Sequence, residues 1–510
     1  MLLCGIVLGI YLPDLAGEFL NWDDNRFVQE NPYVTAVSLS NIKWAFSGFR
    51  FESYQPLQVV SYMFDGMLWP GNPWAYKVHN LVLFLIGGIL LYGLLRRLAI
   101  DSQAAAFGTA LFMLMPSKVE AVVWISARKE VLCLVFALLS WHLHVSVIKS
   151  SRLISMSLIF EYLFFALALL SKSSALVLPL IQFLLDYLVL KRPIKRTCLH
   201  ISVPLALSIG IGVLLPWLWQ SNAMVKIDTP QGPIMRAGLV FWSIAHYIQT
   251  VGWPVALSPV YAAPTETELA YFFVGGCVGS VVVIVGLFFL RRVVFQRPNL
   301  LLAAVSMFLG GLIPFINIVP MYFLVADRYL LFPSFAVSLG AAWLWQMFSQ
   351  KKERVKISAY VVLLVLLCLS SIYTMIYIPA WKTSESLFQT ATEHQPKSFW
   401  AAMKYGETLR GVGKFAASEE SYRNARRIRP LSPSALGGVF WATLEQDRKT
   451  MDIDAKQCEK IVAVFMAYAS NYEELRILEK KLNFARAFHS AEVVKNRMHE
   501  LRFGIDESRL

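Results

Sequence analysis

The stretch ARKEVLCLVFALLSWHLHVSVIKSSR, residues 127–152, decides how this chain is read. Residues 131–148 are apolar over a length that crosses about 30 Å of hydrocarbon as a helix. One end of the run carries Arg128, Lys129 and Glu130, and the other carries Lys149 and Arg152. Comparable runs of roughly 17 to 22 residues lie at 78–95, 104–123, 153–170, 175–190, 201–219, 271–290, 300–319, 329–348 and 357–378. Residues 1–12 are too short to span comfortably and lack the basic flank and small-residue cleavage site of a signal peptide. They are read as the end of a first span that begins upstream. With 56% hydrophobic and 16% charged residues among 510, and a mean hydropathy of +0.53, the composition excludes an ordinary soluble domain.

Charge orients the spans. The basic loops, Arg96-Arg97, 149–152, 191–196, 291–297 and 351–356, belong in the cytoplasm by the positive-inside rule. Residues 234–252 are apolar enough to cross, but a crossing there would put 291–297 outside. That segment is therefore expected to be re-entrant or interfacial, which leaves about eleven spans and an external C-terminal domain. The net charge of +13 resides mostly in the loops and calls for no nucleic-acid partner.

Threaded this way, four polar clusters emerge together on the non-cytoplasmic face: Asn21-Trp22-Asp23-Asp24, Arg128-Lys129-Glu130, Ser171-Lys172-Ser173 and Ala326-Asp327-Arg328-Tyr329. Ionisable groups at a membrane edge are expensive and mark function. Either Asp23 or Asp24 could take a proton from an acceptor hydroxyl as general base, and the competing reading is a solvated turn. Arg128 and Lys129, with Glu120 and Trp124 just before them, defy the positive-inside bias, so an external anion is expected. A phosphate suits them, because Arg binds it in bidentate fashion and Lys as a point charge. Lys172 and Arg328 supply two further cations. The alternative is local pairing, Lys129 with Glu130 and Arg328 with Asp327. No glycine-rich turn opens a helix, which suits a lipid-phosphate donor better than a nucleotide sugar. The six cysteines show no metal-ligand spacing and offer no disulfide framework. The eight histidines form no His-x-x-x-His pair and no cluster, so no metal site is expected from these residues, although carboxylates could still hold a divalent ion.

Two regions stand outside the spans. The first external loop, 13–76, carries the acidic pair, an amphipathic stretch at 39–46 and Tyr54-Gln55-Pro56-Leu57; loops of this length are usually functional. Residues 379–510 form a separate helical domain. Within it Gly406, Leu409, Gly413, Phe415, Tyr422, Ala425 and Pro430 fit a tetratricopeptide repeat, and Pro396 precedes Pro430 by one 34-residue period. Residues 461–501 read as further helices. The array is either a docking surface for an acceptor polypeptide or a cap on the membrane part.

In this order the motifs resemble a known family. Asn-Trp-Asp-Asp at 21–24, Tyr-x-Pro-Leu at 54–57, His79-Asn80, Pro-x-x-x-Glu-Ala-Val at 116–122, Ala-Arg-Lys-Glu at 127–130, Leu-Ser-Lys at 170–172 and Asp-Arg-Tyr-Leu-x-x-Pro-Ser at 327–334 are similar to those of the transmembrane and tetratricopeptide repeat-containing O-mannosyltransferase-like proteins and their bacterial relatives. These are GT-C glycosyltransferases. The resemblance implies an all-α polytopic domain over 1–378 followed by helical repeats over 379–510. It also implies inverting transfer of a sugar from a polyprenyl-phosphate carrier to a protein or cell-surface glycan acceptor, in a bacterial inner membrane with the repeats non-cytoplasmic. By the same resemblance Asp23 or Asp24 is the base, Arg128, Lys172 and Arg328 hold the donor phosphate, and Trp22, Tyr54, His79, Glu120, Lys129, Glu130, Asp327 and Tyr329 support them. The donor is a substrate, and no resident cofactor is required. Met115, Lys118, Ser173 and Gln55 stand where the family pattern has two histidines, a glutamate and an arginine.

Two readings compete with the enzyme. A non-catalytic membrane-anchored repeat scaffold would need no acidic pair. A transporter would place ionisable groups near the bilayer midplane and show matching halves, whereas here they lie at helix ends.

Overall fold

The computed structural model describes residues 2–50, 53–149, 155–220, 232–295, 300–319, 321–430 and 432–450. Cys458 and the helices expected over 461–501 lie outside the described residues. The described chain is helical, with one isolated bridge between Arg50 and Ser53 in place of any sheet. In hydrocarbon this is forced, because a helix satisfies every backbone group within the segment.

The chain divides into two compact units. The first contains α1 (Leu2–Tyr11), α2 (Leu39–Phe46), α3 (Pro56–Leu68), α4 (Pro73–Arg97), α5 (Ser102–Leu114), α6 (Val119–Val123), α7 (Arg128–Lys149), α8 (Met156–Ser171), α9 (Leu178–Leu184), α10 (Ile194–Gln220), α11 (Pro233–Gly252), α12 (Glu266–Phe295), α13 (Leu300–Leu312), α14 (Pro333–Ser349) and α15 (Glu353–Tyr377). Starts are set locally: Asn72 caps α4 and Asp101 caps α5, their side chains accepting from Trp74 N at 3.1 Å and Ala104 N at 2.9 Å.

Among the described residues five helices are long and apolar enough to cross a membrane: Pro73–Arg97, Ile125–Ile148, Ile194–Ile211, Glu266–Val283 and Glu353–Trp381. A sixth is reached by joining Ser102–Leu114 to Pro116–Val123 across a 59° bend. The continuous runs expected at 153–170, 175–190, 300–319 and 329–348 are shorter or broken helices instead. Two of the breaks fall at polar clusters, at Lys172 and at Asp327–Leu330. Pro116 cannot continue α5, because it has no N–H and its ring clashes with the preceding turn, and Lys172 at the end of α8 is extended, at φ −156°. Short 3-10 turns follow at Pro116–Lys118, Ile125–Ala127, Ser173–Val177, Ile313–Phe315 and Asp327–Leu330. The segment expected to be re-entrant or interfacial is α11, which is not among the span candidates. It packs largely on α12, with Gly238 against Leu269, while its buried Ser243 accepts from Asn317 Nδ2 at 3.0 Å and Tyr247 reaches Phe315 O at 3.5 Å.

The loop over 13–76 is not a free excursion. Phe27, Val28, Val34, Ala45, Val59, Tyr62, Met63 and Tyr76 form a core that closes on Ile125.

The second unit comprises Val260–Ala262 and the chain from Glu385 onward. It includes α16 (Ser384–His394), α17 (Phe399–Gly411), α18 (Phe415–Ile428) and α19 (Pro433–Thr450). The turn joining α17 to α18 uses Gly413 at φ +77°, a conformation glycine adopts without penalty. Where the repeat spacing calls for a small residue, a Cβ on Gly406 would meet the Tyr422 ring at 2.9 Å. Gly406→Ala is therefore expected to destabilise this unit by about 1–3 kcal/mol through overpacking. Faster proteolysis within residues 385–450 in the full-length protein would report it.

Candidate active site

The two neighbouring carboxylates have opposite fates. Asp24 is fully buried and accepts hydrogen bonds from Leu20 N at 3.0 Å, Ser126 N at 3.0 Å and Ser126 Oγ at 2.5 Å. It clips the loop to the turn that precedes α7. Burial pushes its carboxyl up to about 6, against the opposing pull of these hydrogen bonds and the Lys77 charge. Asp23 is half-buried, and among the described residues nothing hydrogen-bonds its carboxylate; only its backbone carbonyl is engaged, by Phe27 N at 3.0 Å. Trp22 stacks on Phe323 with ring centres 5.4 Å apart and stands edge-on to Trp124 at 6.4 Å.

The raised Asp24 value predicts a pH dependence of stability. Between about pH 4 and pH 6 the folded chain holds a proton on Asp24 that the unfolded chain has released, so this contribution is full below that window and disappears as pH rises through it. The shift of about two units amounts to about 3 kcal/mol. Asp24→Asn should flatten that part of the profile, which thermal unfolding of the two proteins at pH 4, 5, 6 and 7 would measure.

The expected phosphate-binding cations are each neutralised by an acid from a distant part of the chain. Arg128, fully buried, ion-pairs with Asp65 of α3. It also donates from Nε to Asn80 Oδ1 at 2.7 Å and from Nη2 to Tyr76 O at 2.9 Å, with its guanidinium 4.6 Å from the Tyr62 ring centre. Asp65 takes His79 Nδ1 at 2.8 Å as well. Lys172 Nζ lies 2.6 and 2.5 Å from the two oxygens of Glu130. Arg328 pairs with Glu120, whose second oxygen accepts from Arg328 N at 2.9 Å. The local partners suggested by sequence are replaced. Adjacent residues on a helix or 3-10 turn point more than a quarter-turn apart and do not face each other, so Glu130 and Arg328 look across to other elements.

Around these pairs the walls are aromatic. Tyr329 stacks on Phe315 at 4.6 Å, and Lys172 lies 4.9 Å from the Phe315 ring centre and 5.2 Å from that of Tyr329. Asp327 is buried in the same turn. Lys118, where the family pattern has a histidine, is buried and donates to Ser334 Oγ at 2.5 Å and to Leu330 O at 3.2 Å. Tyr54 lies elsewhere, its hydroxyl donating to Phe46 O at 3.3 Å. Lys129 is half-buried and, among the described residues, has no hydrogen-bond or ion-pair partner; the charges acting on it are those of Arg328, Asp23, Glu130 and Lys172. Asp23 and Lys129 are thus the uncommitted acid and base of the cluster. Sequence reasoning missed Asp65, Asn80 as an Arg128 acceptor, and Ser126. Only Asp65 left a signal, as a lone acid within the apolar helix α3.

The expectation of unclustered histidines is corrected. His144 and His200 converge on Glu161, with one ligand atom from each residue within 4.8 Å of the others. The residues are 17 and 39 positions apart along the chain from Glu161, a separation that leaves no local motif. This group lies at the far end of α7 from Arg128.

No family model matches the chain, and no solved structure matches it. A protein O-mannosyl-transferase of Caenorhabditis elegans is 25% identical over 446 residues, covering 82% of this chain and 61% of that relative. The chain thus spans about three fifths of the length of the curated relative it matches. The likeness supports an O-mannosyltransferase-like relationship, in keeping with the apolar, span-length helices.

Proposed function

We propose that the chain is an integral membrane glycosyltransferase of GT-C type, which moves a sugar from a polyprenyl-phosphate carrier to a hydroxyl acceptor on the non-cytoplasmic face. The observation that carries this reading is the division of labour within the acidic pair: Asp24 is locked to Ser126, while Asp23 is open and acts within the field of Lys129. In an inverting transfer the acceptor oxygen attacks the anomeric carbon as its proton passes to Asp23. The bond from that carbon to the phosphate oxygen breaks, and its electrons leave with the phosphate. Lys129 meets that phosphate directly. Arg328 and Lys172, each slightly exposed, supply positive field from behind their carboxylate partners, and stabilising developing charge in a water-poor site lowers the barrier. Arg128 positions the loop. The carrier's tail lies along the apolar helices, and the host membrane, expected to be the bacterial inner one, is whichever presents the lipid-linked sugar on that face.

The helical hairpins of the second unit are assigned to a tetratricopeptide-like array that docks a protein acceptor. The relative's description as a protein O-mannosyl-transferase favours mannose and a protein hydroxyl. Purified protein in detergent, given polyprenyl-phosphate mannose or glucose with a panel of secreted-protein acceptors, should form a glycosylated product with release of polyprenyl phosphate. Product that depends on a nucleotide sugar and not on the lipid would overturn the donor, and no product with any lipid-linked sugar would return the chain to the scaffold reading. Lys129→Met should raise the KM for the lipid donor about tenfold or more, as expected for the loss of a charged hydrogen bond worth about 1.5–3 kcal/mol, and steady-state kinetics on that panel would check it.

A further inference from the structure

At the end of α7 opposite Arg128, four polar side chains from four helical segments crowd one point. His144 Nδ1 lies 3.0 Å from Glu161 Oε1, 3.0 Å from His200 Nε2 and 2.9 Å from Gln182 Nε2. His200 Nε2 is also 2.9 Å from Glu161 Oε1, and Gln182 Nε2 is 3.1 Å from that same oxygen. His144, Glu161 and Gln182 are buried, and His200 nearly so.

Hydrogen bonding alone does not account for this arrangement. An imidazole nitrogen has one hydrogen or one lone pair, yet His144 Nδ1 has three polar neighbours within 3.0 Å. If it carries a hydrogen directed at Glu161, then His200 Nε2, 3.0 Å from it and 2.9 Å from the same oxygen, must either crowd in as a second donor or turn its own lone pair on the carboxylate, whichever way the Gln182 amide is turned. If it carries a lone pair, that pair faces the carboxylate. A cation at the centre removes the conflict, because both imidazoles and the carboxylate then direct lone pairs at it, and turning the Gln182 amide presents its oxygen as a fourth ligand. Ligands bonded to one tetrahedral Zn²⁺ at about 2.0–2.1 Å sit roughly 3.3 Å apart, a small opening from the distances here.

The surroundings also fit a metal. His144 Nε2 is 2.7 Å from Asp186 Oδ1, and the other oxygen of Asp186 takes Arg192 Nη1 at 2.8 Å. A carboxylate on the far nitrogen fixes the ring tautomer and raises ligand basicity, as at most protein-bound histidine ligands. Asp186 rides on a π-helical turn, Leu185–Val189, a widened geometry that recurs at functional sites. Ser140 Oγ donates to Glu161 O at 3.0 Å and Tyr162 Oη donates to His200 O at 2.9 Å, which hold α8 and α10 in place.

We propose that His144 Nδ1, His200 Nε2 and Glu161, with Gln182 or water in the fourth position, bind a divalent transition metal, Zn²⁺ by ligand type, that fastens α7, α8, α9 and α10 together. Two imidazoles with one carboxylate favour zinc and its neighbours over Mg²⁺ or Ca²⁺, which take all-oxygen sets. His144 is sixteen residues beyond Arg128 on α7, roughly 24 Å at 1.5 Å per residue. The metal is therefore structural and takes no part in sugar transfer.

Full-length protein purified in detergent without chelator should contain about one zinc per chain by inductively coupled plasma mass spectrometry. Strong chelation should lower its Tm, and Zn²⁺, but not Mg²⁺, should restore it. Asp186→Asn should weaken zinc affinity by about 10–100-fold, and the His144→Ala, His200→Ala double variant should lose both the metal and the zinc-dependent rise in Tm. Asp23→Asn should keep both. Cobalt-loaded wild type should show the intense visible bands of a tetrahedral ion, a readout that needs no variant to fold. Wild-type protein without metal, without a Tm response to zinc and without cobalt bands would overturn the proposal, as would a double variant that retains the metal.

Discussion

Asp23→Asn is expected to lower turnover about 100- to 10,000-fold, the range over which a positioned general base acts, while leaving affinity for the lipid-linked donor unchanged. The asymmetry follows from position. Asp23 is half-buried with a carboxylate that makes no hydrogen bond or ion pair among the described residues, so the amide fits without breaking one. What it loses is the ability to accept a proton from the attacking hydroxyl. Asp24→Asn should instead act mainly on stability, because Asp24 serves Leu20 and Ser126 and has no open face. Kinetics and donor binding measured on both variants separate the roles. Full activity in Asp23→Asn with a large kcat loss in Asp24→Asn would reverse the assignment, and full activity in the double variant would remove the catalytic reading.

Arg128→Ala should be the most destabilising single change in the site, at about 3–5 kcal/mol, because it leaves a buried acid without its partner. Asp65 would keep only His79, and the Asn80 oxygen and Tyr76 carbonyl would each lose a donor. The penalty comes from the uncompensated charge, so Arg128→Met combined with Asp65→Asn should recover much of the lost stability even though the ion pair is gone. Thermal unfolding of wild type, the single variant and the double variant gives the comparison. A double variant no better than Arg128→Ala would mean that packing of the guanidinium between Tyr62 and Tyr76, and not charge, dominates.

The helical character, the long apolar segments and the polar clusters at their ends were legible in the sequence, because hydropathy and proline breaks act over a few residues. The pairings were not. Glu130 finds Lys172, Glu120 finds Arg328 and Arg128 finds Asp65 across 42, 208 and 63 positions, and no local periodicity encodes such meetings. Arg128, Lys172 and Arg328, expected from sequence to await an external anion, are neutralised in space by Asp65, Glu130 and Glu120, which is why the proposed phosphate contact shifts to Lys129. Asp23 and Asp24 are indistinguishable as letters. Burial and the hydrogen bonds from Leu20 N and from the amide and hydroxyl of Ser126 tell them apart, and a single serine among apolar residues carries no signal. The histidine cluster was hidden for the same reason, since His144, Glu161 and His200 sit on three separate helices.

The clasp between Asp24 and Ser126 also sets an order of events during synthesis. The two residues are separated by 102 positions. At about 5–20 residues per second of elongation, Asp24 leaves the ribosome roughly 5–20 seconds before the residue that will cover it. Throughout that interval the carboxylate must remain hydrated and charged, and the chain bearing it cannot be sealed against the helices. The clasp is therefore completed late, only after α4, α5 and the turn ahead of α7 have been made. A nascent chain stalled before Ser126 should expose Asp24 to solvent, and release past that point should close it.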